Sequence, residues 1–164
     1  MSTIDLKCQC GAVQGRAVNI TPSTGNRVVC CCNDCQAFAN YLNCGAGTLD
    51  DCGGTEIYQT SQSQVIIHKG HDKLQSMRLT PKGMLRWYTS CCKTPVANTI
   101  AAGMPFLGII HSFADIENRV ATLGAVRAYC QTQDAIAEVN HPKAHPKFPL
   151  GLTIRIVRQL MVWK

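Results

Sequence analysis

Short runs of alternating or β-branched residues mark most of the N-terminal part of the chain. Residues 13–18 alternate weakly, while residues 56–58 and 65–68 are β-branched or aromatic and are separated by a polar connection over residues 59–64. Runs of this kind are typical of strands joined by turns. The pattern therefore predicts β structure over residues 8–99.

One pair of these runs has the pattern of a hairpin. Residues 74–79 and 84–88 flank a Thr-Pro-Lys-Gly sequence at positions 80–83, and proline followed two residues later by glycine is a turn signal. The second strand of this hairpin leads directly to Cys91 and Cys92.

The pattern changes beyond residue 100. Residues 116–133 contain the alanines and arginines of a helix, residues 141–147 are a proline-rich loop, and residues 152–163 predict a strand or short helix packed on the core. We therefore expect a β domain over residues 1–100. Residues 101–164 should pack on the same domain.

Composition narrows the classes of partner. The chain has 164 residues, 46% of them hydrophobic, and a net charge of +6 from scattered basic residues, so nucleic acid is not an expected partner. Residues 1–15 contain no apolar segment of signal-peptide length, and no run reaches the ~18 apolar residues needed to cross a bilayer. We expect no membrane partner and a cytoplasmic location, and the sequence assigns no oligomeric state.

The chemistry is concentrated in the cysteines, of which the chain has 11. In a reducing compartment, clustered thiols bind metal or react more often than they form disulfides, and an odd count fits a disulfide framework poorly. Cys44, Cys52 and Cys130 stand alone, so we interpret them as small buried apolar residues.

The first cluster combines distant parts of the chain. Cys8 and Cys10 form a C-x-C motif whose side chains project to one side of an extended chain, and Gly11 lets the backbone turn behind them. Together with Cys91 and Cys92, these thiolates could close a tetrahedral zinc site that ties the N-terminus to the hairpin.

The second cluster offers a natural set of three ligands, Cys30, Cys32 and Cys35. Three protein ligands leave a fourth position for water or substrate, which is the usual difference between catalytic and structural zinc. Cys31 and Asp34 are rivals for that position, and zinc with a purely structural role in both clusters stays open as an alternative.

Three motifs resemble the glutathione-dependent formaldehyde-activating enzyme family, which includes centromere protein V. The motifs are Cys8-Gln9-Cys10-Gly11, Cys30-Cys31-Cys32-Asn33-Asp34-Cys35 and Arg86-Trp87-Tyr88-Thr89-Ser90-Cys91-Cys92-Lys93-Thr94-Pro95. The resemblance implies a mainly β fold, the β-tent zinc fold of short antiparallel strands, with a C-terminal extension of mixed or helical structure. It also implies a structural zinc at the first C-x-C and the last motif, and a second zinc at the middle cysteines, where glutathione binds.

The chain departs from the family pattern at three positions. Cys31 replaces a histidine, Thr89 stands where the last motif usually has its first cysteine, and Lys93 stands where it has glycine. The alignment places Cys92 at a ligand position. Either Cys91 is the fourth ligand, or the site has only three.

Two functions follow as hypotheses. The first is a carbon–sulfur lyase similar to S-hydroxymethylglutathione synthase, with zinc and a small thiol such as glutathione at Cys30, Cys32 and Cys35. In this hypothesis Arg78 or Arg86 meets the carboxylates of the thiol. The alternative is a non-catalytic, zinc-stabilised binding or scaffold module.

Overall fold

The computed structural model describes residues 2–101 and 103–162. The strands are β1 (Ser2–Lys7), β2 (Gln14–Ile20), β3 (Asn26–Cys30), β4 (Thr55–Ser61), β5 (Val65–Lys69), β6 (Leu74–Met77), β7 (Leu85–Thr89), β8 (Pro95–Thr99), β9 (Phe106–Ile110), β10 (Ala114–Asp115) and β11 (Ala128–Cys130). The α-helices are α1 (Asn33–Tyr41), α2 (Gly45–Thr48), α3 (Arg119–Leu123) and α4 (Leu150–Val162). The prediction of a mainly β protein with a partly helical C-terminal region is confirmed.

The strands form two sheets. A four-stranded sheet has the order β10-β1-β2-β5, and a seven-stranded sheet has the order β11-β3-β4-β9-β8-β7-β6. Within the described residues, neighbouring strands are antiparallel except for β11 and β3, which run parallel. Strand β9 lies between β4 and β8, so residues beyond position 100 form part of the larger sheet.

The larger sheet is covered on both faces because adjacent side chains of a strand point in opposite directions. Tyr58 and Ile109 belong to the core shared with the smaller sheet, which includes Leu6 and Ile20. Ile57 and Ile110, the next residues along the same strands, face helices α4 and α1 instead. The helices therefore define a second face of the sheet, separate from the interface between the sheets.

The predicted hairpin over residues 74–88 is present. Strands β6 and β7 pair in antiparallel register, and the amide of Gly83 donates to the carbonyl of Thr80 at 3.0 Å across the turn. The predicted polar connection is shorter than expected, because β4 extends to Ser61 with Gln59 and Thr60 buried.

The helix expected within residues 116–133 is present but covers only Arg119–Leu123. A short helix, α3, begins after Asn118, whose side chain accepts from the amide of Ala121, and ends at Gly124, where φ is +83°. With ψ of −179°, this backbone conformation is open essentially to glycine alone, because glycine has no Cβ atom. The chain then enters β11, which pairs in parallel with β3 on one side, while Tyr129 exchanges backbone hydrogen bonds with Lys143 and His145 on the other.

Helix α4 resolves the alternative of strand or helix at residues 152–163. Leu152 is buried against the sheet, and Trp163 lies outside the described residues. No helix in the described part of the chain has the length and apolar character to cross a membrane.

Candidate metal centres

The first cysteine group lies where two hairpin connections meet. Cys8 and Cys10 lie between β1 and β2 of the smaller sheet, while Cys91 and Cys92 lie between β7 and β8 of the larger one. Their four sulfur atoms all lie within 4.8 Å of one another. The amide of Gln9 donates to the hydroxyl of Thr94 at 3.0 Å, which adds a direct link between the two connections.

The spacing of these sulfur atoms matches a tetrahedral metal site. Cys8 Sγ lies 3.6 Å from Cys10 Sγ and 3.9 Å from Cys91 Sγ, and Cys91 Sγ lies 3.4 Å from Cys10 Sγ and 3.8 Å from Cys92 Sγ. Four sulfur atoms at ~2.3 Å from a tetrahedral zinc are ~3.8 Å apart. The group can therefore hold a metal ion with four thiolate ligands.

Two threonine hydroxyls favour the thiolate form of Cys92, which is the form that binds a metal ion. The Oγ1 atoms of Thr89 and Thr94 lie 3.4 Å and 3.1 Å from Cys92 Sγ. Burial alone raises the pKa of Cys92, but the hydrogen bonds from Thr89 and Thr94 outweigh burial and lower this pKa to about 5. Thr89 therefore contacts the site without being a ligand, and Cys91 brings the number of sulfur atoms to four.

The second group lies on the helix-covered face of the larger sheet. Cys30 ends β3, Cys32 immediately precedes α1 as its N-cap, and Cys35 is in the first turn of α1. Their three sulfur atoms lie within 4.8 Å of one another. We call this group the triad. The amide-rich N-terminus of a helix favours negative charge, so the position stabilises thiolates.

No fourth ligand completes the triad among the described residues, because no other cysteine, histidine or carboxylate joins the group. Cys31 is completely buried, and burial raises the pKa of its thiol to about 12. Asp34 instead has a carboxylate oxygen 3.5 Å from Nη2 of Arg86. Cys30 and Cys32 are only half-buried, whereas Cys35 is buried.

Arg86 is the charged residue that accompanies the triad. Its side chain is only 4% exposed, and Nη1 lies 3.7 Å from Cys35 Sγ and 3.4 Å from the side-chain oxygen of Asn98. The guanidinium also lies over the ring of Phe38, with Cζ 5.6 Å from the ring centre. A buried cation needs a compensating anion, so the position of Arg86 favours thiolates in the triad.

The sequence predicts that Arg78 or Arg86 meets the carboxylates of a thiol ligand. Arg86 is enclosed against Cys35 and is not exposed to bind the carboxylates of a ligand. Arg78 is exposed and donates to the carbonyl of Gly83. The contact between Arg86 and Cys35 spans 51 positions, and no motif relates the two residues.

The pKa values of the triad thiols are shifted in opposite directions. Hydrogen bonds from Cys30 and Cys35 lower the pKa of Cys32 to about 2. Hydrogen bonding to Cys32 and Cys35, together with burial, raises the pKa of Cys30. Of the three thiols, Cys32 is therefore the one whose surroundings favour the thiolate most.

The cysteines outside both groups differ in burial. Cys130 is completely buried, and burial raises its pKa to about 12, whereas Cys44 and Cys52 are half-buried. Among the described residues, no histidine joins either cysteine group. His111 follows β9 with Nδ1 3.3 Å from the carbonyl oxygen of Glu56, and burial lowers its pKa.

Comparison with known proteins gives a family without an assigned function. Residues 1–162 match a family of unknown function, DUF6151. The chain belongs to this family. No curated protein matches this DUF6151 member significantly.

A solved structure gives a second comparison, at the level of the fold. The crystal structure of a Rhodobacter sphaeroides protein is 16% identical, with a TM-score of 0.52, and the match covers 74% of this chain and 96% of that one. At this identity the likeness concerns the fold alone, so the chemistry of the DUF6151 member must be argued from its own residues.

Proposed function

We propose that this protein binds zinc at both cysteine groups and binds a small thiol at the triad. The observation that carries the proposal is the difference between the groups. One brings four sulfur atoms together, whereas the triad has three and, in the described residues, no fourth ligand. Structural zinc is closed by four protein ligands, and a reactive site keeps one position open.

The donor atoms support zinc as the metal. Sites made only of thiolates favour zinc over metals that prefer oxygen or nitrogen ligands, and the sulfur spacing of the four-thiolate group fits zinc. Zinc at Cys30, Cys32 and Cys35 would stabilise a ligand thiol as its thiolate and polarise a carbonyl compound beside it.

The residues around the triad supply the remaining electrostatics. Three thiolates and a divalent ion leave one net negative charge, which the guanidinium of Arg86, 3.7 Å from Cys35 Sγ, offsets in part while it also pairs with Asp34 at 3.5 Å. The N-terminus of α1 adds positive potential at Cys32 and Cys35. An incoming thiolate therefore meets a ligand set whose negative charge is partly offset, which lowers the electrostatic cost of its binding.

We further propose that the chain is a divergent relative of the glutathione-dependent formaldehyde-activating enzymes. The order and spacing of the cysteine motifs support this relationship. The corresponding chemistry is addition of the sulfur of glutathione to the carbon of formaldehyde. A carbon–sulfur bond forms, the carbonyl π bond breaks and the thiol proton passes to the oxygen.

The proposal is tested by calorimetric titration of glutathione into the zinc-loaded protein. We expect binding in wild type, loss of binding in Cys32→Ser, and unchanged binding in Cys44→Ser, whose cysteine lies outside both groups. Binding should weaken as the pH falls, because a thiol must lose its proton to coordinate. Absence of binding to the zinc-loaded wild type at millimolar glutathione would overturn the proposal and favour a scaffold module.

A further inference from the structure

A cleft beside α4 lies apart from both cysteine groups. Its volume is about 790 Å³, within the usual range for small-molecule sites. Helix α4 contributes Arg155, Arg158 and Gln159 to its lining, and the connection between β2 and β3 contributes Ser23 and Thr24. No aspartate or glutamate is among the described residues that line it.

Arg155 is held in place by neutral groups. Its Nε donates to the side-chain oxygen of Asn26 at 2.6 Å, and its Nη2 donates to the carbonyl of Ser23 at 3.1 Å. Asn26 is completely buried, and its side-chain nitrogen donates to Gln159 Oε1 at 2.7 Å. Arg155 and Gln159 are therefore both oriented by one buried amide.

The positive charge of the cleft has no carboxylate partner. Within the described residues, no carboxylate oxygen lies within 4.0 Å of Arg127, Arg155 or Arg158. Arg127 lies near this cluster and donates to the carbonyl of Pro22 at 2.7 Å. Burial and, after it, the charge of Arg155 lower the pKa of Arg127, as expected for cations that repel each other.

One further donor in the lining is unused. Gln159 Nε2 is buried and has no hydrogen-bond partner, although the Oε1 of the same amide is paired with Asn26. Arg155 and Gln159 are four positions apart on α4, so they lie on one face of the helix. Ile154 and Val162 add apolar surface to the same lining.

We propose that this cleft binds a small organic anion. Its phosphate or carboxylate group is held by Arg155 and Arg158, and its apolar part lies against Ile154 and Val162. Arginine forks suit the planar or tetrahedral oxygens of these groups. The proposal is independent of the metal centres.

Phenyl phosphate and benzoate are suitable probes, because they share an apolar ring and differ in the anionic group. Their binding to the purified full chain is measured by calorimetry at fixed ionic strength, and NMR amide shifts locate the site. We expect binding of one or both probes at millimolar concentration or below, with shifts at residues 23–24 and 151–159. Preference for one probe identifies the anionic group.

Arg155→Gln should weaken binding about tenfold or more, as expected for loss of hydrogen bonds to a charged group. Arg158→Gln is a second variant, because Arg158 makes no hydrogen bond within the described residues and its loss should leave the fold intact. Arg78→Gln removes the same charge in the connection after β6, outside the cleft lining, and should bind both probes like wild type. The proposal is overturned if neither probe binds at concentrations up to about 10 mM. It is also overturned if both cleft variants bind the probes as tightly as Arg78→Gln does.

Discussion

Cys91 and Cys92 are adjacent in the sequence, yet both place sulfur in the four-thiolate group. Their Sγ atoms lie 3.8 Å apart, a separation that suits two ligands of one tetrahedral ion. The alignment with the resembled family selects Cys92 alone. At the residue scale, therefore, the geometry makes Cys91 equivalent to Cys92 as a ligand.

We predict that Cys91→Ser and Cys92→Ser destabilise the protein to a similar extent. Loss of one of the four thiolates should remove most of the ~10–16 kcal/mol that structural zinc contributes, so each variant should melt far below the wild-type Tm or unfold outright. Thermal unfolding and zinc content per chain measure the effect, with Cys52→Ser as the control. A wild-type Tm and metal content in Cys91→Ser would show that Cys91 is not a ligand.

Arg86 provides a second prediction at this scale. Arg86→Met removes the buried charge but keeps an unbranched side chain, so zinc at the triad should bind about tenfold more weakly, a change equivalent to one charged hydrogen bond. Chelator competition measures this affinity, and zinc at the four-thiolate group serves as an internal reference. Arg78→Met is the matched control on an exposed arginine. Equal zinc affinity at the triad in both variants would contradict the compensating role of Arg86.

At the residue scale, contacts between residues close in the sequence can be predicted from their spacing, whereas contacts between distant residues cannot. Cys30, Cys32 and Cys35 could be grouped because their spacing places them on one local turn. The contact of Arg86 with Cys35 could not be predicted, because it depends on the packing of α1 against β7. The hydrogen bond from Arg155 to Asn26, which orients an arginine of the cleft, likewise joins residues 129 positions apart.

At the scale of elements, the connection from β7 to β8 shows how a local turn positions ligands. Lys93 has φ of +59°, and its amide donates to the carbonyl of Thr89 at 2.9 Å. Left-handed backbone is costly for a residue with a Cβ atom and nearly free for glycine. The family that the motifs resemble usually has glycine at the position of Lys93. The left-handed backbone at this position explains that preference.

We therefore predict that Lys93→Gly stabilises the protein by roughly 0.5–1 kcal/mol, since relief of the left-handed strain exceeds the added chain entropy. The change also removes a contact in which Lys93 Nζ lies 5.4 Å from the ring centre of Tyr88. Lys93→Ala removes the same contact and keeps the strain, so it isolates the backbone effect. Chemical denaturation compares the three proteins. A glycine variant no more stable than the alanine variant would refute the argument.

Strand β11 shows why one element was mispredicted. Its three residues lie in a segment whose alanines and arginines favour helix. Intrinsic helix propensity is weak, however, and tertiary contacts often override it. Here Gly124 ends α3, and β11 pairs with Val28, Val29 and Cys30. The parallel pairing depends on a partner strand about a hundred residues earlier, so local periodicity contains no signal for it.

At the scale of the whole molecule, the two cysteine groups have different structural positions. The four-thiolate group joins connections from both sheets, whereas the triad lies between a strand end and a helix start on one face. A metal at the first position holds the sheets together. A metal at the second position constrains residues that are close in sequence.

This difference predicts opposite consequences for two matched substitutions, Cys10→Ser and Cys32→Ser. Structural zinc contributes ~10–16 kcal/mol of apparent binding free energy, which is as large as the ~5–15 kcal/mol total stability of a typical domain. Cys10→Ser should therefore unfold or aggregate, while Cys32→Ser should stay folded and retain about one zinc per chain against about two in wild type. Circular dichroism and elemental analysis of the purified variants measure these outcomes. If Cys10→Ser kept the wild-type fold and metal content, the four sulfur atoms would have no structural role. If Cys32→Ser unfolded instead, the triad would be the metal centre on which the fold depends.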